Sequence, residues 1–518
     1  MNYSRAARGI LIRAEILSKL SSKNHQFYFM NIQELQPQEV FSIFHEITQV
    51  PRPSKREGKI IEWLKAFAVK HNLFHTVDEA GNIIMRKPAT PGYEDKPGVI
   101  LQAHMDMVCE KNNDTVHDFD NDPIHTYIDG DFIKAEGTTL GADNGIGMAL
   151  MLAAITSDTL KHPALECLFT VDEETGLTGA FRLKDGCLNG KQLINLDSED
   201  DGQVFIGCAG GIDTLAKMYY VPEPVEQEAK EGLLAVHIKV SGLMGGHSGD
   251  DINKGRGNAN KILVRFLYQV MKATDMYIAS LNGGNLRNAI AREAEAVIVL
   301  PIWFKENVRV MFNHYVATIE SEISDVEKDF AMSLETTDMP AFLIPQEQSE
   351  RLIQALYACP HGMMAMSKTM PGLVETSTNL ASVKMKEDDK GTYIEVNTSQ
   401  RSSIESKKHD LKQMVECALA LACDEVTHGD GYPGWAPNPQ SPLLEVTKKA
   451  YQDLFAAEPK VLAIHAGLEC GLFLEKYPYL DMVSIGPQMF GVHSPQERLS
   501  ISSTGKCWQW LQRVLETL

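Results

Sequence analysis

Histidines and acids recur along this chain, each at the end of a short apolar run. In order they are His104 and Asp106 in "VILQAHMDMV", Asp143 in "GADNG", Glu173 and Glu174 in "LFTVDEETG", Asp197 in "LINLDSED" and His465 in "LAIHAGLECG". The apolar runs read as buried strands, so each of these side chains is delivered by a strand end or the loop after it. A fold that gathers them must align the carboxyl ends of several strands along one edge. An open α/β sheet, with strands alternating with helices, does this. Two imidazoles and several carboxylates brought together there suit a pair of divalent metal ions, with one carboxylate left free as a base.

At 518 residues the chain exceeds a single hydrophobic core, which predicts two domains. Its net charge of −20 argues against nucleic acid or an anionic membrane as partner. No apolar run reaches the roughly 20 residues needed to cross a bilayer. The nine cysteines are odd in number, irregularly spaced and free of any CxxC pair. That pattern reads as free thiols in a reducing compartment, and a cytoplasmic location is expected. Cys470, close after His465, is not needed as a ligand in a site this rich in oxygen. Residues 1–29 carry Arg5, Arg8, Arg13, Lys19 and Lys23 against Glu15 alone. They lack the continuous apolar stretch of a secretory signal and read as an extension outside the fold, which begins near Met30.

From about 36 to 70 the apolar spacing is helical, and "GNIIMRKP" and "GVILQAHMD" are strand-like. Near residue 210 the character changes. "LLAVHIKVSGL" alternates with period two, as a half-exposed antiparallel strand does. Two consecutive rounds of strands and helices then run to "GTYIEVNTSQRSS" and the helix from about Lys407 to Ala422. They predict an inserted α+β lid domain of two ferredoxin-like units. After "GDGYPGWAPNP" the α/β pattern returns. The expected organisation is therefore 1–29 extension, 30–209 catalytic domain, 210–433 lid and 434–518 catalytic domain again. The catalytic domain is an α/β unit with a mixed central sheet flanked by helices. A doubly tethered insert of this kind suits a lid over a substrate site.

Taken singly, none of these residues is decisive. A histidine after a strand is as well a satisfied core residue, "GADNG" is as well a turn, and adjacent glutamates are as well a solvated face. Asp106 alters the reading of His104, because a carboxylate two positions on can take the second ring N–H and fix the tautomer. The adjacent pair Glu173-Glu174 diverges from a loop and suits two different tasks. The ordered set as a whole is what carries chemistry.

That set, with "AHMDMV", "GADNGIG", "DEETGLTGA", "GGHSG", "NLRNAIAREA" and "HAGLECG", resembles the di-zinc aminopeptidase, carboxypeptidase and aminoacylase superfamily with a lid domain. In particular it is similar to the bacterial aminoacyl-histidine dipeptidase (peptidase D) branch, from about Met30 to Leu518. The resemblance implies that Asp143 bridges two metals, that His104 and Asp197 complete one, and that Glu174 and His465 complete the other. It implies that Asp106 orients His104 and that Glu173 is the general base for a metal-bridging hydroxide. From the lid it implies His247 as a donor to the tetrahedral oxyanion, Asn288 as a partner of the substrate backbone and Arg401 as a clamp for the C-terminal carboxylate. The residue-level alternatives are a turn histidine, a capping asparagine and a surface arginine. His493 and Glu497 in "GVHSPQE" are expected to line the site without an assigned role. The implied activity is hydrolysis of unblocked dipeptides, Xaa-His dipeptides included, with two zinc ions, or cobalt or manganese in their place. A small peptide is the expected partner, and a homodimer is allowed. The rivals are an N-acyl amino-acid deacylase on the same scaffold and a non-catalytic metal-binding protein.

Overall fold

The computed structural model describes residues 31–227 and 229–518, so the basic extension at 1–29 lies outside the described residues. One sheet has eight strands: β1 Phe74–Val77, β2 Ile83–Lys87, β3 Val99–His104, β4 Leu165–Thr170, β5 Gln192–Asn195, β6 Gln203–Cys208, and, after a long excursion, β15 Lys460–Ile464 and β16 Asp481–Ser484. Their order is β1-β2-β4-β3-β5-β16-β6-β15. β4, β3, β5 and β16 run parallel, whereas β1 and β2 form an antiparallel edge, so the sheet is mixed. Every residue of β3 and β4 is buried. This is why those segments read as continuous apolar runs: strands covered on both faces need no alternation.

The cover is helical. Helix α1 (Gln38–Thr48) turns Val40, Phe41, Phe44 and Ile47 inward. Helix α3 (Ala142–Thr156; α2 is Gly58–Lys70) is buried on nearly all sides, as its sequence "IGMALMLAAI" requires. Helices α8 (Pro442–Phe455) and α9 (Ile501–Thr517) close one side, where Trp510 meets Tyr451 edge-on and donates to the Thr447 carbonyl at 2.9 Å.

The excursion builds a second sheet. Its principal strands are β7 Gly210–Tyr219, β8 Leu233–Ser241, β9 Tyr277–Gly283, β10 Ala294–Pro301, β11 Ala331–Thr336, β12 Val374–Asp388, β13 Gly391–Ser402 and β14 Glu425–His428, in the order β11-β8-β10-β9-β12-β13-β7-β14. All neighbours are antiparallel. Four helices belong to this part: α4 Ala259–Met271, α5 Lys305–Ile323, α6 Gln346–Ala358 and α7 Glu405–Leu419. The strands β8 to β11 with α4 and α5 make one split β-α-β unit, and β7, β12, β13 and β14 with α6 and α7 make the other. The sequence suggested consecutive units. They are instead nested, because β7 belongs to the second unit although it precedes the first. The two units join edge to edge where β9 meets β12 at Gly283 and Val383.

The chain enters and leaves this region on paired tethers. Cys208 and Trp435 exchange backbone hydrogen bonds of 2.9 and 3.0 Å, and Gly211 and Tyr432 exchange bonds of 3.0 and 2.8 Å.

Gly141, in the loop that enters α3, has φ +67, and a Cβ there would lie 2.6 Å from the Arg52 guanidinium and 2.7 Å from Met107 Sδ. Gly130 has a similar φ of +60 with open space around it. Gly130→Ala is expected to cost only the left-handed backbone penalty, about 1–2 kcal/mol. Gly141→Ala should cost a further ~1–3 kcal/mol of overpacking. Thermal unfolding midpoints of the two variants check this, and equal losses would contradict the close packing at Gly141.

Candidate metal centre and substrate cavity

The three adjacent strands β4, β3 and β5 end side by side and deliver the central residues. His104 closes β3 and is 1% exposed. Its Nε2 stands 3.0 Å from Asp143 Oδ1 and 3.3 Å from Asp197 Oδ1, and its Nδ1 stands 3.3 Å from Asp106 Oδ1. Asp143 enters from the start of α3, and its other oxygen lies 3.1 Å from His493 Nε2. The same His493 nitrogen is 3.0 Å from Glu174 Oε2. Among the groups in which ligand-type atoms converge are His104–Asp143–Asp197 and Asp143–Glu174–His493, with Asp143 common to both, and His104–Glu173–Glu174 beside them.

His465 is not brought to this cluster, contrary to the sequence expectation. It follows β15, the outermost strand, three strand spacings beyond β5, or roughly 14 Å across the sheet. Its Nε2 pairs instead with Ser377 Oγ of β12 at 2.7 Å. Burial, and then the nearby Arg401 and His247, push its pKa down to about 3, which keeps the imidazole neutral. The histidine of the second group is His493, held at φ +61 in the loop before β-strand residues Arg498–Ser500. Sequence reading placed it at the site without a role, because "GVHSPQE" follows no long apolar strand.

The supports of the cluster are backbone groups. Asp106, fully buried, accepts from the N–H groups of Glu173 at 3.0 Å and Glu174 at 3.3 Å, so it fixes the acidic pair as well as facing His104. Glu497 accepts from four successive N–H groups, of Leu140, Gly141, Ala142 and Asp143, at 2.7 to 3.3 Å. It anchors the loop that presents Asp143. Arg52, also buried, donates to the carbonyls of Met105 at 3.2 Å, Asp106 at 2.7 Å and Gly141, tying the β3 loop to the α3 loop. Asn144 donates to Asp197. Arg52 and Asn144 escaped the sequence reading, since an isolated arginine in "VPRPS" and an asparagine in a turn carry no spacing signal.

The electrostatics match the crowding of acids. On His493, hydrogen bonds to Asp143 and Glu174 raise the pKa to about 11. Burial works against charge on His104, but Asp197, Asp106 and Asp143 outweigh it and raise its pKa. Burial lifts Asp197 to about 6. It also lifts Glu173 well above the usual carboxylate range, with Asp197, Glu469 and Glu174 adding to the effect. Glu174 Oε1 is buried without a hydrogen-bond partner among the described residues. Imidazole nitrogens and carboxylate oxygens in two convergent triads fit divalent ions of borderline character.

Two cavities meet at this cluster. One, of about 410 Å³, is lined by His104, Asp143, Glu173, Glu174, Asp197, Glu199, His247 and His493 among others. The second, of about 360 Å³, is lined by Glu173, Glu174, Arg287, Asn288, Arg401 and Tyr432 among others. Of the three residues expected from the lid, His247 thus faces the first cavity, and Asn288 and Arg401 face the second. His247 Nδ1 accepts from the N–H groups of Gly249 at 3.3 Å and Asp250 at 3.2 Å, which orients Nε2 as the remaining nitrogen. Burial, and then Arg401, lower its pKa. Arg401 is 7% exposed, donates to Tyr432 Oη at 2.9 Å and has no carboxylate partner among the described residues. Its Nε has no partner at all among them.

Residues 100–517 match the model of peptidase family M20/M25/M40. The cytosol non-specific dipeptidase of Escherichia coli K12 is 41% identical over 487 residues, 94% of this chain and 99% of the relative. The crystal structure of aminoacylhistidine dipeptidase from Vibrio alginolyticus superposes with a TM-score of 0.87 at 40% identity, over 94% of this chain and 98% of that one. Aminopeptidase PepT from Bacillus cereus shares the fold at a TM-score of 0.59 and 16% identity, over 93% and 98% of the two chains. With a family match spanning most of its length, this chain belongs to peptidase family M20/M25/M40.

Proposed function

We propose that this protein is a dinuclear metallo-dipeptidase of the cytoplasm that hydrolyses unblocked dipeptides, Xaa-His dipeptides among them. The observation that carries the reading is the pair of ligand triads sharing Asp143, with Glu173 beside them. The two relatives at 40–41% identity, a cytosol non-specific dipeptidase and an aminoacylhistidine dipeptidase, support the substrate class. His104, Asp143 and Asp197 would hold one divalent ion and Asp143, Glu174 and His493 the other, with zinc the best fit to the nitrogen and oxygen donors. When bound, such ions supply Lewis acidity, polarising the scissile carbonyl and acidifying water in the cavity.

The remaining work falls to the protein. Glu173 has no side-chain partner among the described residues, and its raised pKa lets it both take a proton and give it back. It removes the proton from the attacking water and returns it to the leaving amine. Nε2 of His247 is free to donate to the oxyanion. The buried guanidinium of Arg401 needs an anion, and the C-terminal carboxylate of a dipeptide lying across both cavities supplies one. A panel of free dipeptides, N-acyl amino acids and tripeptides with added Zn²⁺ tests the reading. Turnover confined to N-acyl amino acids would make the enzyme a deacylase instead.

Glu173→Ala is expected to keep both metals and lose about 10²–10⁴-fold in kcat. Metal analysis beside turnover checks it, and a lost ion would mean that Glu173 is a ligand. His493→Ala should bind about one ion per chain fewer, whereas His465→Ala should retain the full complement. The same metal analysis decides between the two histidines. Arg401→Ala should cost roughly 2–4 kcal/mol in kcat/KM on a free dipeptide and little on the same dipeptide amidated at its C-terminus. Equal penalties would leave Arg401 a structural residue of the lid.

A further inference from the structure

The dipeptidase reading leaves the substrate's other end, its α-ammonium, without a partner. We infer that Glu199 binds that ammonium and thereby selects unblocked substrates. This inference rests on the proposed function.

The argument is one of elimination within one cavity. Six carboxylate residues besides Glu199 line the cavity that contains the triads: Asp143, Glu173, Glu174, Asp197, Asp200 and Asp250. Asp143, Glu174 and Asp197 face His104 or His493. Asp200 accepts from Gln488 at 3.4 Å, and Asp250 is exposed to solvent. Of these seven residues, only Glu173 and Glu199 are half-buried and have a carboxylate with neither a hydrogen bond nor an ion pair among the described residues. Glu173 is accounted for as the base. Glu199 is a half-buried carboxylate in the same cavity.

Two further features fit an ammonium there. The backbone carbonyl of Glu199 is fixed by Met489 N–H at 2.8 Å and the Gln488 amide at 3.0 Å, so its side chain starts from a held position. The cations divide the other way, since Arg401 and Arg287 line the adjoining cavity and no lysine or arginine lines this one. A dipeptide with its carboxylate at Arg401 and its carbonyl beside Glu173 therefore points its amine into the cavity of Glu199.

The test pairs alanyl-alanine with propionyl-alanine, the same molecule without its amine. It measures kcat/KM for the first, and kcat/KM or competitive Ki for the second, in wild type, Glu199→Gln and Glu199→Ala, with metal content for each. Both variants should lose about 10- to 100-fold on alanyl-alanine, as expected for a charged hydrogen bond. Their affinity for propionyl-alanine should stay within about twofold, with full metal content. Equal losses on both compounds, an unchanged alanyl-alanine rate, or a lost ion would each overturn the assignment of Glu199 while leaving the dipeptidase reading intact. A wild type inactive on all free dipeptides would overturn both.

Discussion

The structure depends on keeping several carboxylates together out of bulk water. Asp143, Glu173, Glu174 and Asp197 crowd one cavity with Asp106 buried behind them, and each charge buried there costs several kcal/mol unless something offsets it. Much of the surrounding architecture can be understood as that offset. Two imidazoles stand between the acids. Asp106 is held by the N–H groups of the Glu173-Glu174 turn. Glu497 collects four consecutive N–H groups of the loop that presents Asp143. Arg52 brings a fully buried guanidinium against the carbonyls of both loops. These contacts fix the positions of the acids before any ion is considered.

The second sheet supplies what the first lacks. The catalytic part gathers negative charge, while the lid brings Arg401, Arg287 and His247 to the same two cavities. A zwitterionic substrate matches that division. The lid reaches the body through two tethers that are hydrogen-bonded to each other. Tyr432, on the returning tether, also receives the hydrogen bond of Arg401. The Arg401 guanidinium thus sits directly against the connection between the two parts.

The one misplaced ligand shows where sequence reading fails. His104, Asp197 and the Glu173-Glu174 pair lie at the ends of three neighbouring strands, and their apolar runs announced them. His465 carries the same local signature, yet its strand is the edge of the sheet. Strand identity is written locally, whereas strand order is set by long-range pairing that no short window contains. His493 has the opposite problem. It reaches Asp143 and Glu174 from an irregular loop, and only the folded chain brings residues 350 positions apart in sequence within hydrogen-bond distance.

The sequence by itself determined the α/β character, the inserted two-unit region, the acid-rich strand ends and the membership of Glu173 and Asp106 in the site. These follow from hydrophobic periodicity and motif spacing, which are properties of short segments. Tertiary structure alone decided the nesting of the two units, the placement of His493 rather than His465 beside Asp143 and Glu174, and the contacts of Arg52 and Glu497. Among the described residues it also left the Glu199 carboxylate without a hydrogen bond and Arg401 without a carboxylate partner, in adjoining cavities. Those outcomes depend on which buried charge finds which counter-group, and that pairing exists only once distant segments share one low-dielectric space.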